Sequence, residues 1–360
     1  MRRWLLIAPL IPLIGIPAFL LLPGIKMRQA RPDLKVAVQN HLTPVHMIFV
    51  GDIMLSRGVA MHIRRHHDLD WPFERVRNFL RRGDLVFGNL ECTLTPGPPV
   101  APRAMVFRAN PALAPLLRQA GFNLLSLANN HSPNYGPRGL RDEMRVLRRA
   151  GIAWAGAGKD ASSAAAPAVL TIKGQRIALL AYNSPDVVPA WYAAGPHHAG
   201  TNFMNVRRMQ VAVRAARRQG SFVIVSMHAG TEYHPRANRF QIAFAHAAID
   251  AGAGLVIGHH PHVIETAERY RGKYIFYSLG NFIFDQQWSR ATRLGLMLEI
   301  WVQDNQVLRL RLHAIWINPH DQPVILPAVP VLPAIARLRR ALKLDPVSAP
   351  VLASAKAKLR

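Results

Sequence analysis

The chain has 360 residues, half of them hydrophobic, enough for one large folded unit or two ordinary ones. Lys and Arg number 45 against 20 for Asp and Glu, a formal charge of +25, so anionic partners are expected: nucleic acid, a lipid surface or an acidic polymer. A single cysteine, Cys92, excludes an intrachain disulfide and a cysteine-based zinc site.

Arg2 and Arg3 precede an uncharged apolar run, residues 4–25, long enough to span a hydrocarbon core and without a polar face. No small-x-small cleavage site closes it, so an uncleaved signal-anchor over residues 1–25 is expected. The arginines would stay cytoplasmic and the remainder would lie outside the cytoplasmic membrane. Residues 26–44 read as a basic linker, and 45–320 as the main domain. Its apolar runs at 46–52, 84–91, 122–128, 177–182, 222–228 and 255–260 read as buried strands. Helices are expected at 110–121, 137–151, 205–219 and 237–251. This alternation argues for an α/β domain with covered sheets. The runs 274–280, 294–302 and 307–317 follow without helices, as successive antiparallel strands. Two packed sheets between helix layers accommodate both halves. Residues 321–360 read as a basic tail. Within it, 334–344 has helical apolar spacing, suited to lie on anionic lipid or to dock on the domain with its basic face in water.

Ligands of open α/β folds bind outside the carboxyl ends of the strands. There the sequence places Asp52, then Glu91, then Asn129, Asn130 and His131, then His228, then His259, His260 and His262. Each alone has an ordinary explanation: an Asp after Gly forms turns, and a lone His is usually a satisfied one. His260 and His262, read as the end of a strand, would project to the same side. Taken together, two carboxylates, an amide and three imidazoles would converge at one edge. Nitrogen and oxygen donors without sulfur suit one or two divalent ions, Mn, Zn or Fe. Asn130 would offer its amide oxygen to the metal, and His131 would be free beside it to protonate a leaving alkoxide.

The stretches FVGDIMLSRGV, DLVFGNLECTLT, LLSLANNHSPNYG, SMHAGTEYHP, LVIGHHPHVIE and YSLGNFIFDQ, in this order, resemble the CapA family. These are bacterial capsule-synthesis proteins linked to poly-γ-glutamate, within the calcineurin-like metallophosphoesterases. The resemblance covers roughly residues 46–290. It implies a four-layer α-β-β-α sandwich with the metal site at one edge. Asp52, Glu91, Asn130, His228, His260 and His262 become metal ligands, with Glu91 at the bridging position and His131 the acid. Asn281 and Asp285 belong to a family motif and are expected only to brace the site. Three departures stand out: Met54 where metallophosphoesterases have the His of Asp-x-His, Asn134 where the family usually has Asp, and Ala229 where it usually has Trp.

Three functions remain open from the sequence. One is a membrane-anchored metal-dependent hydrolase acting on a phosphoester or related bond, its partner an anionic envelope polymer or a phosphorylated precursor. Another is a non-catalytic polyanion-binding component working with other capsule synthesis proteins. Nucleic acid fits the charge but neither the expected location nor any binding motif.

Overall fold

The computed structural model describes residues 43–98, 105–327 and 333–344. The expected anchor at 1–25, and the linker up to residue 42, lie outside the described residues. Among those described, no helix is long and apolar enough to cross a membrane.

In chain order the main elements are β1 (Val45–Ile53), α1 (Arg57–His66), β2 (Leu85–Leu90), α2 (Leu113–Ala120), β3 (Leu124–Ser126), α3 (Gly136–Arg149) and β4 (Ala153–Ala155). There follow β5 (Ala168–Ile172), β6 (Gln175–Asn183), α4 (Val206–Arg218), β7 (Phe222–His228), α5 (Arg239–Asp250), β8 (Leu255–His259), β9 (Ala267–Tyr270) and β10 (Lys273–Phe276). The last are β11 (Asn281–Ile283), β12 (Leu294–Gln303), β13 (Gln306–Ile317), β14 (Pro323–Ile325) and α6 (Pro333–Ala341). An eight-stranded sheet runs β14-β13-β12-β1-β2-β3-β4, with β11 also paired to β1, and a six-stranded sheet runs β9-β10-β8-β7-β6-β5.

Alternation along β1 shows how the layers form. Met47 and Phe49 point into a core shared with Leu179, Phe222, Ile224 and Leu255 of the other sheet. Ile48 and Val50 point the other way, onto α1, α2 and α3. The six-stranded sheet buries its outer face under Met209 and Val213 of α4 and Phe244 and Ala248 of α5. The layers thus follow as helices, sheet, sheet, helices. Each fully buried Leu or Phe contributes about 1.5–3 kcal/mol. These three apolar layers, not the polar residues, hold the strand ends in place.

Two expectations change. The run 274–280 is strand only to Phe276: β10 pairs parallel to β8 in the six-stranded sheet, and the next strand, β11, starts beyond the run and pairs parallel to β1 in the eight-stranded one. The chain crosses between sheets through Gly280, whose φ of +68 suits a residue without a Cβ. The segment from 321 is not wholly a tail, because β14 pairs antiparallel with β13. In α6 and just beyond it, Ile335, Leu338 and Leu342 are buried in the core between the sheets. Docking on the domain therefore uses the face that lipid binding would need.

Candidate metal centre

Two rows of polar side chains meet where the sheets face each other. In the first row, Asp52 of β1 pairs in register with Asn89 of β2 on one side and Asn281 of β11 on the other. In the second, His228 of β7 pairs with Asn183 of β6 and His259 of β8. Glycines allow the approach. A Cβ on Gly51 would lie 1.8 Å from the carbonyl oxygen of Gly280, and one on Gly258 would lie 1.8 Å from that of Tyr277.

The opening after β3 divides its labour. Asn129 accepts from the backbone N–H of His131 (3.0 Å) and Ser132 (2.8 Å) and donates to Asn89 Oδ1 (3.0 Å) and the Leu90 carbonyl (2.9 Å). It is the turn former. Asn130 instead meets His228 Nε2 through Oδ1 at 2.9 Å. His260 and His262 do not continue the strand, contrary to the sequence expectation. The strand stops at His259, and His260 (φ +100) and His262 (φ +59) occupy a turn in the left-handed region, costly for residues with a Cβ. Both nevertheless reach the site by that turn.

Asp52, Glu91 and His262, all buried, place ligand atoms within 4.8 Å of one another. Asp52 Oδ1 lies 3.2 Å from His259 Nδ1 and accepts from Asn89 Nδ2 at 2.9 Å. Its Oδ2 lies 3.5 Å from His262 Nδ1. Asn281 Oδ1 faces His262 Nδ1 at 3.0 Å, which turns Nε2 towards Glu91 Oε1, 3.7 Å away. The same Glu91 oxygen is 3.9 Å from His228 Nε2. The His228 and His260 rings lie 4.8 Å apart, so Asn130, His228 and His260 form a second group beside the first. Glu91 stands between the two groups.

The electrostatics fit a cation. Burial opposes ionisation of Asp52, but the contacts with His259 and His262 outweigh it and hold the carboxyl well below its usual range. Burial, then Asp52, then Glu232 push Glu91 well up. Glu91 Oε1 and His260 Nδ1 are buried without a hydrogen-bond partner. A buried carboxylate oxygen left unpaired is costly, and a divalent ion between the groups would account for it. Burial and neighbouring histidines keep His228 well below its ordinary value and bring His260 down to about 3. Both are neutral, the form that ligates. The donor set is nitrogen and oxygen only, without a thiolate.

His131 stacks on Phe107 with ring centroids 3.8 Å apart, and its Nδ1 lies 2.8 Å from Asn134 Oδ1. An amide oxygen can only accept, so Nδ1 carries the proton and Nε2 the lone pair. Burial brings His131 down to about 3; the Asn134 bond opposes this and His262 and Arg57 add to it.

Two central residues were given no role in the site by the sequence reading: Asn89, which touches both carboxylates, and His259, which meets Asp52. Asn89 lies two positions before Glu91, hence on the same side of the strand. For His259 only the register with His228 distinguishes it from its neighbours. Met54, in place of an imidazole, is wholly buried in the outer core, and its sulfur accepts from the Ser56 N–H. Ala229 lines a groove of about 490 Å³ that opens from Asn130 and His260 towards Asp186, Glu232 and Phe240.

The family model described as bacterial capsule synthesis protein PGA_cap matches residues 46–286. The capsule biosynthesis protein CapA of Bacillus anthracis is 31% identical over 308 residues, 83% of this chain and 72% of that protein. The PGA biosynthesis protein CapA of Bacillus subtilis (strain 168) is 33% identical over 260 residues, 71% of this chain and 67% of that protein. Among solved structures, the sulfate thiohydrolase SoxB of Thermus thermophilus aligns with a TM-score of 0.44 and 14% identity, over 76% of this chain and 46% of that one.

Proposed function

The chain belongs to the bacterial capsule synthesis protein family PGA_cap, and we propose that it is a membrane-anchored, extracytoplasmic, metal-dependent hydrolase of capsule or poly-γ-glutamate metabolism. The bond it acts on is a phosphoester or a related one. The observation that carries this reading is the buried group Asp52, Glu91 and His262 with its unpaired Glu91 oxygen. Asp52, Glu91, Asn130, His228, His260 and His262 would hold one or two ions of Mn, Zn or Fe. When bound, such an ion polarises a phosphoryl oxygen and lowers the pKa of water at neutral pH.

The chain's own residues do the rest. Asn281 turns His262, and Asn89 holds the Asp52 and Glu91 carboxylates together. His131 presents Nε2 to the ligand. An anionic ligand beside it favours the imidazolium, which then delivers its proton to the leaving oxygen. Anchoring rests on the apolar residues 4–25 behind Arg2 and Arg3.

A second reading, a non-catalytic component that binds an acidic polymer, is favoured by the net charge of +25. Hydrolysis of bis-p-nitrophenyl phosphate and p-nitrophenyl phosphate by manganese-loaded protein separates the two. Hydrolysis that stops with chelator and in Asp52→Asn is expected. Bound metal without turnover of either ester would leave the polymer-binding reading.

A further inference from the structure

Arg57 opens α1 directly after the β1 loop, with a φ of +44 that is unfavourable for any residue with a Cβ. Asp285 holds this corner from two sides: one carboxylate oxygen pairs with the guanidinium Nη2, and the other accepts from the Gly58 N–H at 2.9 Å. That gives Asp285 the bracing role expected of it. The guanidinium carbon lies 4.4 Å from the centre of the Phe107 ring and 5.8 Å from that of Phe284. These rings are the walls on which two site histidines rest. Phe107 stacks on His131 at 3.8 Å, and Phe284 meets His262 at 4.8 Å. The positive charge therefore hangs over the mouth of the site, and it is felt at Glu91 and His131.

Among the described residues Asp285 is the one carboxylate that pairs with Arg57, and the Arg57 side chain is 33% exposed. A guanidinium has five donors in a planar fork, and among the described hydrogen bonds only its Nη2, to Asp285, is engaged. A ligand on ions held by Asp52, Glu91 and His262 would bring an oxyanion to this place.

We propose, on the footing of that metal-bound site, that Arg57 binds the oxyanion of the ligand, a phosphate or a carboxylate, through its free fork. The fork suits both groups, because each offers two oxygens at matching spacing. Phe107 and Phe284 fix the plane in which it is offered, and Asp285 fixes its position.

The test is calorimetric titration of the full-length, manganese-loaded chain with inorganic phosphate and, separately, with glutarate. Arg57→Gly removes the fork and relieves the backbone at this φ; Arg57→Lys keeps the charge without the fork. Manganese content should stay at the wild-type level in both. Affinity for at least one anion should fall about 10–100-fold in Arg57→Gly, the range for losing a charge-assisted hydrogen bond, and by less in Arg57→Lys. A fall for phosphate alone identifies a phosphoryl ligand, and a fall for glutarate alone a carboxylate ligand. Unchanged affinity for both anions in manganese-loaded Arg57→Gly overturns the assignment while the metal site stands. Should Arg57→Gly fail to fold, unchanged affinity in Arg57→Lys overturns it equally. A wild-type chain that takes up no manganese overturns the metal site and the anion clamp together.

Discussion

His131 owes its protonation to its neighbours. Asn134 fixes the proton on Nδ1, Phe107 covers the ring, and burial keeps it neutral. In the proposed reaction its part would be confined to the proton that Nε2 carries once an anionic ligand favours the imidazolium. Replacing His131 with Ala should keep metal content and lower phosphodiester turnover by about 10²–10⁴-fold, the usual range for a general acid; full turnover in the variant would remove His131 from the chemistry. Glu265 offers a separate test of burial. Desolvation raises it to about 8, against the hydrogen bond from Gln241 Nε2 at 2.7 Å. The unfolded carboxyl titrates near pH ~4.3. The folded state therefore holds its proton to higher pH, so this contribution to stability is complete below about pH 4 and is lost as pH rises through about 8. Glu265→Gln cannot titrate, so its urea-unfolding stability should fall less than the wild type's between about pH 5 and pH 8. Parallel curves would show that Glu265 titrates alike in both states.

At the level of elements, the sequence carried most of the fold because nearly every buried strand is a continuous apolar run. The run 222–228 is β7 residue for residue, and 294–302 is β12 less one residue. What it could not carry were features set by tertiary approach. The apolar run 274–280 has no polar break before Ser278, yet β10 ends at Phe276 and the chain crosses to the other sheet at Gly280. The turn at His260 and His262 defeats a period-two reading because both φ angles are positive. Site residues at strand ends were legible for the same reason as the strands: an apolar run that stops at a carboxylate or imidazole marks its own end. Asn89 was harder, since it lies inside β2 and resembles an ordinary polar interruption. The helix α6 was legible in its spacing but not in its partner. Its Leu338 is 4% exposed and lies in the core between the sheets. Leu338→Ala should therefore cost about 2–5 kcal/mol in urea unfolding. Unchanged stability, with loss of binding to anionic vesicles, would mean that this face serves lipid instead.

For the whole molecule, the apolar layers hold together what its electrostatics oppose. Two buried carboxylates and several neutral imidazoles are brought to one place by sheets whose cores lie elsewhere. Such an arrangement is costly without a compensating charge, which a bound cation would supply. The chain's charge of +25 and the proposed anchor at 4–25 would keep such a site near anionic polymer outside the membrane. A reporter active only in the cytoplasm, fused to the C-terminus, should be silent, and full activity would reject that orientation. The central claim is that Asp52, Glu91 and His262 hold a metal ion. Anomalous X-ray diffraction from crystals grown with manganese should show an ion within about 2.0–2.3 Å of donor atoms from all three residues, and the peak should vanish in His262→Ala. Crystals that show no peak between these residues, at manganese concentrations that saturate the protein elsewhere, would contradict it.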